Sequence, residues 1–174
     1  MMTPSRHNFL RAAGTFGFVA AVIVAGCGYY STSSRTAEGI KSVAVPFFEN
    51  LTTEPSLEIT VTENLIDNLV GDNTLKVTDE QRADAVLNGQ IVEFHNRPFS
   101  FNDDLNAEEY LVTLRVKVSL FNRRLNQPVW ADKTVTGDGS YFVDVPDAST
   151  FDDAVRQSVK EITDQILNLT VRDW

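Results

Sequence analysis

The sequence predicts an α+β domain: a two-layer sandwich in which two helices pack on one face of a mixed sheet of four or so strands. Three observations carry this. Apolar residues recur at helical spacing in two separate stretches, 57–70 and 151–169. Between them, residues 108–122 alternate with a period of two, giving one continuous apolar face and one mixed face. The order strand, helix, strands, helix combines a parallel crossover with an antiparallel meander. Two helices with single apolar faces cover only one side of such a sheet. The other side must face solvent or a partner.

The domain starts late in the chain. Residues 1–11 carry Arg6, His7 and Arg11 with no acid, and residues 12–26 are uncharged and mostly small or apolar. A basic start, a short apolar run and small residues before a cut describe a secretory signal peptide. The run falls short of the roughly 20 residues a transmembrane helix needs. Val24-Ala25-Gly26-Cys27 resembles the bacterial lipobox, whose cysteine is acylated and becomes the first residue of the mature chain. Cys27 is the only cysteine, so no intramolecular disulfide can form. Gly28, not Asp, follows it, and by resemblance to sorted bacterial lipoproteins this favours the outer membrane. The expected organisation is a signal peptide over 1–26, a lipidated Ser/Thr-rich tether over 27–39 and one domain over 40–174. The mature chain holds thirteen Lys and Arg against twenty-four Asp and Glu, a net charge of −11. That balance opposes nucleic-acid binding, and it leaves membrane attachment to acyl chains rather than to a basic patch.

In Ile40–Glu49, Val43, Val45 and Phe47 alternate with Ser42, Ala44 and Pro46, which reads as a strand whose second half lies at an edge or end. Pro55 is expected to open the first helix. Leu57, Val61, Leu65 and Leu69 form its core stripe, widened by Ile59, Ile66 and Val70, and Gly71-Asp72-Asn73 ends it. Leu75-Lys76-Val77 is a short strand, and Asp84–Phe94 a longer one with a bulge expected at Gly89. Asn96–Ala107 reads as a loop. In Glu108–Asn122, Tyr110, Val112, Leu114, Val116, Val118 and Leu120 share a face, with Leu111, Thr113, Arg115, Lys117, Ser119 and Phe121 on the other. Arg123–Gln127 makes a hairpin to Pro128–Phe142, in which Gly137-Asp138-Gly139 reads as a bulge or turn. Ser149 or Thr150 caps the last helix, with Asp152 and Asp153 in its first turn and Phe151, Val155, Val159, Ile162, Ile166 and Leu169 on its apolar face.

Catalytic chemistry is hard to assemble from these residues. His95 is the only histidine left after processing, so neither a His/Cys metal cluster nor a Cys–His pair is available. No G-x-S-x-G elbow precedes a helix, and no glycine-rich phosphate loop occurs. Asn102–Asn106 offers oxygen ligands without the alternate spacing and distal Glu of a calcium loop. The expectation is a non-enzyme without cofactor or metal. Arg115, Lys117 and Lys133, expected on one sheet face, read equally as a solvated strand face and as a cationic patch for an anionic ligand, with Arg97 at the base of the loop as a contributor.

The order of motifs then becomes specific. The mature chain starts CGYYSTSS and continues with GIKSVAVPFFEN, a T-x-E-P-x-L-E helix start and ADAVLNGQI. An EEYLVTLRVKVSLFNRR…VW hairpin and an amphipathic helix complete the series. This resembles the LPS-assembly lipoprotein family LptE. The resemblance implies a non-enzymatic outer-membrane lipoprotein, anchored through Cys27, that plugs the β-barrel LptD and assists lipopolysaccharide delivery. It implies that lipopolysaccharide phosphates meet basic residues on strands and loops; Lys133 falls where such a lysine occurs, and Arg97 is a much looser match. The chain departs from the better-studied branch in its charge and in lacking a long polar C-terminal tail. The alternative is a lipid-anchored periplasmic binding or scaffold module unrelated to lipopolysaccharide.

Overall fold

A computed structural model describes residues 39–171. The expected signal segment, Cys27 and all of the tether but its last residue lie outside them. The elements are β1 (Ser42–Ala44), β2 (Glu49–Asn50), α1 (Leu57–Asp72), β3 (Lys76–Val77), β4 (Ala85–Phe101), β5 (Ala107–Asn122), β6 (Gln127–Phe142) and α2 (Phe151–Val171).

The strands form one mixed sheet in the order β3-β1-β4-β5-β6. β1 lies parallel to both β3 and β4, β2 adds to β4 in parallel, and the β4–β5 and β5–β6 pairs are antiparallel. The strand expected over 40–49 is thus two short pieces along one edge of β4, at Ala85–Val86 and at Gln90–Ile91. Pro46, which has no N–H to give a ladder, sits in the break between them. The break lets Phe48 turn inward, 3% exposed, with its N–H donating to Thr62 Oγ1 at 3.0 Å. Its ring lies where a side chain at Gly89 would stand. Gly89 therefore makes room for a ring, and the bulge comes later, between Ile91 and Glu93.

One core lies between the sheet and the helices. α1 contributes Leu57, Val61, Leu65 and Leu69, α2 contributes Val159, Ile162 and Ile166, and the sheet contributes Leu87, Ile91, Leu114, Val116, Val118, Leu120 and Val135. The β5 alternation is realised in full: Val112 through Leu120 at every second position are at most 1% exposed. At about 25 cal/mol per Å² of apolar surface removed from water, this layer is the main driving force of the fold.

Several boundaries differ from the sequence reading. Pro55 lies in the turn before α1, and Ser56, at φ 66°, is the N-cap without a side-chain cap bond. Ile59 and Val70 are exposed and do not widen the buried face. Asn73, at φ 57°, closes α1 by donating its N–H to Leu69 O at 3.1 Å. β4 continues through Asn96–Phe101, which was expected to be loop, because β5 extends alongside it down to Ala107. Gly137 and Gly139 are regular strand residues: a Cβ at Gly137 would stand 2.1 Å from Ser158 O, and one at Gly139 2.0 Å from Ala154 O. Their bareness lets α2 lie directly on β6.

The first turn of α2 is a reciprocal cap. Thr150 donates its N–H and hydroxyl to Asp153 Oδ2 at 2.9 and 2.6 Å, and Asp153 N–H donates back to Thr150 Oγ1 at 3.3 Å. The Thr150 hydroxyl, then its N–H, with Arg156 beyond, hold the Asp153 carboxyl down at about 2. Its folded value lies below the ordinary 3.8, so its contribution to stability is complete above that pH and is lost as pH falls toward 2. In Thr150→Val an NMR titration should place Asp153 closer to the ordinary carboxylate range. An unmoved titration would mean that the cap bonds do not form in solution.

At the other end of the sheet, Asp84 Oδ2 accepts from Lys41 N–H, Ser42 N–H and Ser42 Oγ at 3.0, 3.1 and 2.9 Å. These bonds, that from Lys41 first, hold the carboxyl below its ordinary value. They pin the start of β1 to the start of β4, where the chain enters the domain.

Candidate functional site

Because both helices lie on one face, the other face of the sheet is uncovered among the described residues. Register shows what it displays. Near the chain's point of entry, Ala44, Val86 and Phe121 pair across β1, β4 and β5, and Ala44 and Val86 form a small second core with Ala83. The middle is polar: Gln90, Lys117 and Thr134 lie in one row, and Glu93, Arg115 and Thr136 in the next. Farther on come His95, Thr113 and Asp138, then Arg97, Leu111 and Ser140. One apolar row near the chain's entry is thus followed by polar rows, with Leu111 the apolar member of the last.

Three of the four candidate cations share this face, Arg115, Lys117 and Arg97. Arg115 is already occupied. Its Nη1 stands 2.7 Å from Glu93 Oε1, with the two side chains 41% and 39% exposed, and His95 Nε2 lies 3.7 Å from the other Glu93 oxygen. A half-exposed pair of this kind is worth at most ~1 kcal/mol to the fold, yet it cancels the charge an anion would meet. Asp138 accepts from Thr113 Oγ1 at 2.6 Å and adds a further acid to the face.

Lys133 is elsewhere. It pairs with Val118, and Trp130 pairs with Leu120, both on the helix-bearing side. Trp130 and Lys133 are three residues apart, which in an unbroken strand would put them on opposite faces. The bulge between them, with Asp132 at φ 52°, inserts one residue and returns Lys133 to the side of Trp130. The expected single patch of Lys133, Arg115 and Lys117 is therefore split between two faces. Two surface hollows, about 540 and 410 Å³, lie around Asp79 and Glu80, and none of the four candidates lines either. Among the described residues no group of three or more His, Cys, Asp or Glu could hold a metal ion.

The Glu93 contact makes a testable statement about anion binding. Glu93→Gln should free Arg115 and raise affinity for a phosphate-bearing anion about threefold or more, the effect of unmasking one charge at a partly exposed site. Unchanged affinity in a pull-down titration would show that Arg115 does not face the phosphates.

Sequence reasoning missed one feature here. Phe99, Phe101 and Leu105, read as loop, stand exposed at the far end of β4 and the turn that follows. The signal was present as two phenylalanines flanking Ser100 in a stretch with strand-like alternation.

Comparison with known proteins agrees with this architecture. The sequence model of the family described as LptE: Lipopolysaccharide-assembly matches residues 40–170. Curated proteins yield no match. Among solved structures, protein XCC0632 from Xanthomonas campestris superposes with a TM-score of 0.57 at 12% identity, over 75% of this chain and 83% of that one. The hypothetical protein CT253 from Chlamydia trachomatis does so with a TM-score of 0.54 at 16% identity, over 75% of this chain and 95% of that one. At such identities the likeness is one of fold.

Proposed function

The chain belongs to the LptE lipopolysaccharide-assembly family, and from that premise we propose that it is an outer-membrane lipoprotein that plugs the lumen of the LPS-translocating β-barrel LptD. In that position it supports assembly of the barrel and assists passage of lipopolysaccharide. The observation that carries the reading is the sheet with one face sealed by helices and the other bare, apolar near the chain's entry and polar beyond, with Arg115 already matched by Glu93. A barrel wall supplies the missing cover. The work is binding and positioning, with no catalytic step.

Acylation at Cys27 holds the protein at the inner leaflet of the outer membrane. Several buried acyl chains at about 0.8 kcal/mol per CH₂ anchor a domain that carries no basic patch for the membrane surface. Cys27→Ser should abolish palmitate labelling and leave the precursor unprocessed. The four cations remain candidates for lipopolysaccharide contact, with Lys117 and Arg97 the members of the open face that have no acid within salt-bridge distance among the described residues. Conditional depletion tests the role: folded LptD in the outer membrane and lipopolysaccharide at the cell surface should both fall. Normal amounts of folded barrel without this chain would remove the plug reading in favour of an independent binding module.

A further inference from the structure

The end of the sheet farthest from the point of chain entry is apolar and acidic, with Arg97, in the row of Leu111 and Ser140, the cation next to it along β4. β4 runs 17 residues from its start beside β1, which at about 3.3 Å per residue sets this tip about 50 Å from where the chain enters. There Ser100 pairs with Glu109 and Glu109 with Phe142, and Val143 N–H donates to Glu108 O at 3.0 Å, so the β4–β5 turn and the segment after β6 lie side by side. Phe99, Phe101, Leu105, Phe142 and Val145 are all exposed, half of the large apolar side chains exposed on the described domain. Leu105 is 83% exposed and holds a left-handed backbone at φ 63°, a conformation that disfavours a side chain of this size. Asn102 keeps it there by accepting the N–H groups of Asp104 and Asn106 on its Oδ1 at 3.1 and 3.0 Å. Around these side chains, residues 98–110 and 140–150 contain Asp103, Asp104, Glu108, Glu109, Asp144 and Asp147 and no Lys or Arg.

From this we propose that the tip is a docking surface for a protein face that sets Lys or Arg around apolar side chains. The proposal rests on the barrel-plug reading and names the part of the chain that makes a directed contact with the barrel protein. Charge decides between occupants. An apolar patch alone fits a protein or a lipid surface. Six acids against the one neighbouring Arg97 repel the anionic phosphates of lipopolysaccharide and of phosphatidylglycerol, whereas they attract a basic rim. Burying five large apolar side chains against a protein supplies the affinity, and the acids supply orientation and selection.

The test uses the full chain co-expressed with LptD, carrying the photo-reactive residue p-benzoylphenylalanine at Phe101, at Phe142, or at Lys117 on the open face. Irradiation should join the tip positions to the barrel protein. Combining Asp103→Lys, Asp104→Lys, Asp144→Lys and Asp147→Lys should lower the tip yield about tenfold while circular dichroism stays unchanged. Should the loops not tolerate four changes, raising salt on the otherwise unchanged protein must lower the yield in the same sense. Vesicles of phosphatidylethanolamine and phosphatidylglycerol, with and without lipopolysaccharide, should not float the domain through its tip. A tip that crosslinks to lipid or lipopolysaccharide, or that is silent while the Lys117 probe captures the barrel, overturns the docking assignment and leaves the plug reading standing. If no position captures the barrel, both fall together.

Discussion

Gly139→Ala should be among the most damaging small changes in the chain. The added methyl would stand 2.0 Å from Ala154 O and 2.8 Å from its carbonyl carbon, so the clash is with helix backbone and no rotamer relieves it. α2 must lift from β6, and the lift propagates to Val159, Ile162 and Ile166, which sit in the same core. Overpacking of a well-filled core costs about 1–3 kcal/mol and more where backbone must move; here ~3 kcal/mol or more is expected, read as a lowered urea midpoint. A stability equal to that of the parent would mean that α2 does not lie on the glycine pair.

The second large effect concerns Phe48 and Gly89. Phe48→Ala removes a ring that is 3% exposed and fills the space over Gly89, and should cost about 3–5 kcal/mol. Gly89→Ala in the parent places a methyl 2.2 Å from that ring and should destabilise by about 1–3 kcal/mol. In the Phe48→Ala background the same Gly89→Ala should be neutral or stabilising, because the methyl enters the space the ring left. That reversal of sign in a double-mutant cycle is the signature of direct contact. Additive losses would contradict it.

Much of this architecture is readable from local pattern. β5 announces itself because each inward residue from Val112 to Leu120 is apolar and buried, so period and burial coincide. The Thr150–Asp153 cap is visible because its bonds are local in sequence. What escapes is whatever depends on a distant partner. Asn96–Phe101 opens with the turn-forming Asn96 and Pro98, and only pairing with β5 carries the strand through them to the alternating Phe99-Ser100-Phe101. Gly137 and Gly139 look like a bulge until Ala154 and Ser158 are known to lie above them. Ile59 and Val70 fit a helical stripe, but α1 presents Leu57, Val61, Leu65 and Leu69 to the core and turns those two away. The candidate site fared in the same way. Arg115 and Lys117 were placed correctly by β5's own alternation, whereas one inserted residue before Lys133 moved it to the other face. Glu93, which cancels Arg115, is 22 residues away in sequence and could not be paired with it by pattern.

These placements shift weight within the proposed function. A patch built from cations on two faces, one of them already matched by a carboxylate, is a poor phosphate clamp. A sheet with one bare face and an acidic, aromatic tip is a good object for another protein to enclose. The measurement that bears most directly on this is extraction of the full lipidated chain in mild detergent at native expression, followed by purification and mass determination of what comes with it. The account predicts a large β-barrel, LptD, in equimolar amount and retained through high-salt washing. Recovery of the chain alone under the same conditions would contradict it.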